Sequence, residues 1–377
     1  MRRCITAGLA LFFALSCLGG CARTEVREGL GNGWEPERSM QLDYATEFSV
    51  DYYADGYKLI TMGDESRFLL IPENGTLPKG LANDIVPLYQ PVQNIYLAAT
   101  TPMCLFDSLE RLDAIKLSGS RADSWYIENA RQAMEDGEIL FAGKYSEPDY
   151  EMILDYACPL AIESTMIGHA SEVKDKLEEL GIAVLVDLSS NEGHPLGRTE
   201  WIKLYGAILN EEERAEAFFA QQKQFMTDSD IQDTGKTAAF FHISSSGDVV
   251  ARKSGDYVSK MIDLAGGKYI FDNLGDPETA SSTLRIEMET FFATAQNADY
   301  VIYNSTIGGE IYTIADLIEK NSLLAEMKAV QNKNVWCTSQ NMYQETTGVG
   351  QMIQSFHLIF SGEADELDEV PYLHRLR

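Results

Sequence analysis

Apolar residues recur along this chain in several distinct rhythms. From Ile5 to Leu18 they run nearly unbroken behind the basic start Met1-Arg2-Arg3. That block is shorter than the about 20 residues a membrane helix needs, and it predicts a secretory signal peptide over residues 1–21. Residues 22–40 are polar and rich in glycine (Gly29, Gly31, Gly33), the composition of a flexible tether. Within residues 41–91, β-formers at 48–53 and 57–61 flank Asp55-Gly56, a tight-hairpin signal, and 68–71 before Pro72 reads as another strand. These segments predict a small antiparallel β unit.

From Asn94 the rhythm changes. Short apolar runs at 95–99, 115–117, 160–162 and 184–186 alternate with helical stretches at 105–112, 125–135, 150–156 and 171–180, the last ended by Gly181. Alternation of this kind predicts βα units around a parallel sheet, here an N-terminal lobe over 92–209. Asn210-Glu211-Glu212-Glu213 then reads as a helix N-cap followed by first-turn acids. The helix it starts should occupy segment 210–230 and reach about residue 228, a length of about 27 Å at 1.5 Å per residue. A second βα series fills 231–377, with strands at 237–243, 269–271, 300–303 and 335–337 and helices at 257–264, 289–294 and 311–320. The predicted fold class is α/β: two lobes, each with a mainly parallel sheet flanked by helices, joined by one long helix, with the small β unit in front.

Composition narrows the functions open to such a chain. Its 377 residues carry 58 acids against 30 Lys and Arg, a formal net charge of −28, which repels phosphate backbones and argues against nucleic acid as a partner. Five histidines and six cysteines are dispersed, so no disulfide scaffold or Cys-rich zinc module is expected. Cys104, Cys158 and Cys337 sit among apolar neighbours and read as buried thiols, with one disulfide open to them in an oxidising compartment. No Gly-x-Ser-x-Gly, Walker-type glycine loop or His-Glu-x-x-His stands anywhere in the sequence, so no enzyme and no cofactor is expected. The signal segment ends in Leu18-Gly19-Gly20-Cys21, which resembles the bacterial lipobox; that resemblance implies lipidation at Cys21 and an extracytoplasmic, membrane-anchored protein.

Four further segments carry a family resemblance: Tyr150-Glu151-Met152-Ile153-Leu154, the run His194 to Lys203, the run Gly255 to Gly267 (GDYVSKMIDLAGG), and Ala298-Asp299-Tyr300-Val301-Ile302-Tyr303. With them the chain resembles, over roughly residues 40–375, the substrate-binding lipoproteins of ABC importers in the class that takes up iron–siderophore complexes, haem and vitamin B12. The resemblance implies two lobes on one rigid helix, a ligand held in the cleft between them, and release to a membrane permease and its ATPase with the ligand unchanged. It also implies one docking carboxylate per lobe: Glu151, and Glu289 with Glu287 as its rival. Each also reads as a plain first-turn helix acid. A monomer with membrane contact only through its lipid is expected.

In open parallel sheets, ligands collect at the carboxyl ends of the strands. On that rule the candidate ligand residues are Arg121, Trp125, Tyr126 and Arg198 in the first lobe and Arg252 and Tyr257 in the second, cations and aromatics suited to an anionic, partly aromatic chelate. Trp201 could stack on a flat ligand, yet with Leu204, Tyr205 and Ile208 it also fits the buried stripe of a helix. His242 or Met103 could serve as an axial ligand to haem. An iron–siderophore leads these ligands, a corrinoid or haem follows, and an extracellular enzyme on the same fold is the reading from another class.

Overall fold

A computed structural model describes residue 30 and residues 34–228, 231–276 and 283–377. The signal segment, Cys21 and the end of the linking segment at 229–230 lie outside the described residues, as does most of the tether.

The N-terminal unit is a five-stranded sheet in the order β1 (Arg38–Ser39), β2 (Phe48–Tyr52), β3 (Lys58–Met62), β4 (Arg67–Ile71) and β5 (Ile85–Tyr89). Between β2 and β3 the chain reverses with Asp55 at φ 59° and Gly56 at φ 84°, left-handed conformations that Asp and Gly tolerate better than other residues. The strands β1 to β4 are antiparallel; β2 to β4 are the three expected ones, while β1 lies in the segment read as a tether. The fifth, not anticipated, joins parallel to β4. It carries Pro87 mid-strand, which a sheet accepts only on an edge, where no ladder bond is asked of the missing N–H. Alternation splits the sheet's side chains: Leu59, Leu69 and Ile71 pack under Leu30 and Trp34, while Ile60, Phe68 and Leu70 join the core of the first lobe.

The first lobe is built on a parallel sheet whose strands β6 (Ile95–Leu97), β7 (Ile115–Ser118), β8 (Leu140–Phe141), β11 (Leu160–Ser164) and β12 (Ala183–Asp187) lie in the order β12-β11-β6-β7-β8. A small hairpin of β9 (Gly143–Lys144) and β10 (Glu147–Pro148) leads into the helices' next turn. Around the sheet run α1 (Pro102–Ser108), α2 (Glu128–Glu135), α3 (Tyr150–Asp155), α4 (Ser171–Glu179), α5 (Pro195–Glu200) and α6 (Ile202–Leu209). The apolar strands β11 and β12 are buried on both faces, the condition that makes parallel strands continuous runs. Asn210 corrects the expected N-cap: it takes φ 60° and ends α6 in a left-handed cap, its side-chain oxygen accepting from the Lys58 ammonium at 2.8 Å. The long helix α7 (Glu212–Asp228) follows, with Glu212 and Glu213 in its first turn.

In the second lobe, parallel strands β13 (Lys236–Ile243), β15 (Gly267–Tyr269), β17 (Tyr300–Tyr303) and β18 (Val335–Thr338) form the centre. Antiparallel pairs extend both edges: β14 (Val249–Arg252) with β16 (Thr283–Ile286), and β19 (Glu369–Val370) with β20 (Leu373–Arg375). Its helices are α8 (Tyr257–Leu264), α9 (Met288–Ala295), α10 (Ser305–Gly308), α11 (Ile314–Lys320), α12 (Lys328–Gln331) and α13 (Val349–Ser361). The last was not anticipated; it is largely buried and packs along α7 and α8. The free thiols Cys104, Cys158 and Cys337 are all buried and unpaired with one another.

Candidate functional site

At the carboxyl ends of β13 and β17 the second lobe opens a cavity of about 800 Å³. Its shape follows from local sequence. Ser244 to Asp248 turn the chain from β13 into β14, with Gly247 at φ 91°, and the alternation of β14 sends Val249 and Ala251 into the core while Val250 and Arg252 face the cavity. Antiparallel pairing then sets Arg285 of β16 opposite Val250, and the turn after β17 adds Ile307 and Gly308. Lys320, the last residue of α11, reaches in with its ammonium 5.4 Å from the Tyr303 ring.

The cavity is cationic. Arg252, Arg285, Lys320 and His242 line it with the hydroxyls of Ser244 and Ser245, and none of the described lining residues is acidic. Arg252 is held from behind: its guanidinium donates to Asp256 at 3.4 Å and to the Tyr343 hydroxyl, and stacks 4.6 Å from the Tyr343 ring. Asp256 caps α8 through Val258 N at 2.9 Å; burial pushes its carboxyl above the usual range, opposed by Arg252. Burial, reinforced by the charges of Arg252 and Arg285, pulls His242 below the ordinary imidazole range, so this side chain is neutral near pH 7.

A run of stacked groups leads from the cavity to the other lobe. Tyr343 meets Tyr257 edge-on at 6.2 Å, and the first lobe's Arg198 lies 4.0 Å over the Tyr257 ring while donating to Ser190 O at 2.9 Å. Three more contacts bridge the lobes. Thr199 donates to Thr346 O at 2.7 Å, Lys260 donates to Gly193 O at 2.7 Å, and the Gln344 amide accepts from Tyr126 N and donates to Ser124 O, both at 2.8 Å. Exposed apolar side chains gather in the loops that follow the strands: Tyr126 (46% exposed) and Met166 in the first lobe, Ile307 (73% exposed) in the second.

Of the expected ligand residues, His242 and Arg252 come together in the cavity, and Tyr257 and Arg198 stand behind it in the interlobe stack. Tyr126 is exposed in the first lobe, its backbone N–H donating to Gln344 of the second. Arg121 lies apart, its guanidinium 4.2 Å over Phe141 beside a shallower depression. Met103, Trp125 and Trp201 are corrections. Met103 has no exposed surface in α1, Trp125 is buried, and Trp201 is wholly enclosed with its indole N–H donating to Glu192 at 2.8 Å; none of them can meet a ligand without unpacking the core. Arg285 and Lys320 were missed, since they approach from segments far apart in the chain. Glu151 and Glu289 are exposed in the first turns of α3 and α9, and Glu287 precedes α9 in the N-cap position, also exposed.

Two uncharacterized lipoproteins of Methanocaldococcus jannaschii are similar over most of their length: one is 22% identical over 91% of this chain and 89% of its own, the other 24% identical over 89% and 86%. Among solved structures, the petrobactin-binding protein YclQ of Bacillus subtilis superposes with TM-score 0.58 at 13% identity, covering 81% of this chain and 99% of its own. The periplasmic haem-binding protein HutB of Vibrio cholerae gives 0.57 at 17%, covering 70% and 98%. An ABC-type Fe3+-hydroxamate transport protein of Saccharomonospora viridis gives 0.54 at 18%, covering 72% and 93%. These likenesses are of fold. The family model described as periplasmic binding protein matches residues 115–341, more than half of the chain and all of it downstream of the N-terminal sheet, and the chain belongs to the periplasmic binding protein family.

Proposed function

We propose that this protein is the extracytoplasmic substrate-binding component of an ABC importer, lipid-anchored through Cys21, that captures an iron–siderophore or similar metal complex between its lobes and hands it unchanged to a permease and its ATPase. The observation that carries the reading is the cavity at the strand ends: cationic and free of acids among its described lining residues, in a chain of formal net charge −28. Such a local reversal of charge draws an anion to one place on a surface that otherwise repels it. Ile307 in the cavity lining, with Tyr126 and Met166 exposed in strand-end loops of the first lobe, suits the organic shell of a chelate. The similar solved structures include proteins named for haem, Fe3+-hydroxamate and petrobactin, which supports the same ligand class. Haem or a corrinoid is the alternative cargo.

Calorimetric titration with ferric tris-catecholate, ferric citrate, haemin and cyanocobalamin tests this. At least one should bind, and Arg252→Ala with Arg285→Ala should weaken an anionic chelate by about a hundredfold or more, since each lost charged hydrogen bond is worth roughly 1.5–3 kcal/mol. Binding unchanged by that pair of substitutions would move the ligand out of this cavity.

A further inference from the structure

His242 lines the cavity with only 3% of its surface exposed. Asn304, directly after β17, caps α10, its Oδ1 accepting from Thr306 N at 3.1 Å and from the Thr306 hydroxyl at 2.6 Å. With both donors committed to Oδ1, the orientation of the amide is fixed. Its Nδ2 therefore faces His242 Nδ1, at 3.5 Å. An amide NH2 only donates, so Nδ1 must accept, and the single proton of the neutral ring resides on Nε2. Nε2 makes no hydrogen bond among the described residues, and His242 lines the cavity beside Arg252, Arg285 and Lys320.

We propose that His242 is a specificity-determining hydrogen-bond donor, presenting Nε2–H to an oxyanion of the ligand (a carboxylate, phosphate or catecholate oxygen), and that it does not coordinate metal. The proposal rests on the reading of this cavity as the ligand site. Metal coordination would need the lone pair on Nε2 and would move the proton to Nδ1, where it would point at an amide NH2 that has no lone pair to receive it. An oxyanion meets no such conflict. It adds a fourth donor to those of two guanidiniums and an ammonium, and each charge-assisted bond exceeds a neutral one about twofold in strength.

Two measurements decide the matter. In the full chain labelled with 15N-histidine, long-range 15N–1H correlation, with His242 assigned by its loss in His242→Gln, should show the neutral Nε2–H form at pH 7. The Nδ1–H form or an imidazolium there overturns the proposal. In titrations with ferric tris-catecholate, His242→Ala should lose about 10- to 100-fold in affinity, while His242→Gln, which keeps an N–H donor, should recover most of the loss. Haemin, if it binds, should keep the wild-type Soret spectrum in His242→Ala; a shifted spectrum marks an axial ligand and overturns the proposal. Wild-type binding with no loss in His242→Ala defeats this inference alone. No binding of any oxyanionic probe by the wild type defeats the cavity reading, and the donor role with it.

Discussion

Glu163, at the carboxyl end of β11, has no exposed surface, and neither oxygen of its carboxyl has a hydrogen-bond partner among the described residues. Burial pushes its pKa from 4.5 up to about 8. The folded chain therefore holds a proton that the unfolded chain releases, between about pH 4.5 and 8. By linkage this makes folding less favourable as pH rises through that window, and the loss accumulates to several kcal/mol at roughly 1.4 kcal/mol per pKa unit. Glu163→Gln cannot ionise. Denaturant unfolding should find the variant gaining on the wild type steadily from pH 5 to pH 8.5, and parallel pH profiles would show that Glu163 is solvated in the native state. Burial is also what the sequence hid at other single positions. Trp201 recurs at helical spacing with Leu204, Tyr205 and Ile208, and the core took it; Trp125 offered no such stripe, so its position after a strand looked like a binding loop. Composition told nothing of whether an indole would face the cleft or the core.

At the scale of elements, the N-terminal sheet is bolted to the first lobe by buried carboxylates that the sequence did not single out for that task. Glu200 of α5 accepts from the backbone N–H groups of Asp43 (2.9 Å), Tyr44 (2.7 Å) and Ala45 (2.8 Å) and pairs with Lys203 at 3.2 Å. Glu192 takes Thr46 N at 2.9 Å and Glu47 N at 3.2 Å. Lys58 of β3 reaches the end of α6, donating to Ala207 O at 3.0 Å and pairing with Glu212 of α7. Glu200→Ala removes the acceptor of three backbone N–H groups, that of Ala45 in a buried bond, and leaves Lys203 paired with Glu216. A cost of about 1.5–3 kcal/mol is expected, read as a lower urea midpoint and as faster amide exchange at residues 43–45; a midpoint within error of wild type would mean the sheet is only loosely attached. The central strands were legible because buried parallel strands must be continuous apolar runs, as Leu160–Ile162 is. The edge pair β14–β16 was not, because half of its side chains face out. Missing it meant missing Arg285. The stripe Val349, Met352, Ile353, Phe356 and Phe360 did carry the helical period of α13, with Gln351, Gln354 and Ser361 on its less buried side.

For the whole molecule, the decisive question is how far the lobes can move. Binding proteins that close widely do so on several crossing strands, which act as a hinge by taking up rotations of φ and ψ at a few residues. Here α7 is an unbroken 17-residue helix, and bending it would break backbone bonds that no loop replaces. It packs against α6 of one lobe and α13 of the other. The stack Arg198–Tyr257–Tyr343–Arg252 and the Gln344 bridge already hold the cleft faces together. A ligand held in the cavity would meet Arg252 from the side away from this stack, without the lobes swinging to admit it. We expect that solution scattering gives a radius of gyration that is the same with and without a saturating chelate, near the about 21 Å of a compact chain of this length. A contraction of several ångströms would require a hinge within α7 and would overturn the rigid-helix account. The same rigidity predicts that the exposed carboxylates of α3 and α9 keep a fixed separation whether the cleft is full or empty. If those carboxylates dock the permease, Glu151→Arg with Glu289→Arg should abolish uptake by whole cells while leaving chelate affinity unchanged. An equal loss of affinity would assign them to the cleft instead, and retained uptake would remove them from the docking surface.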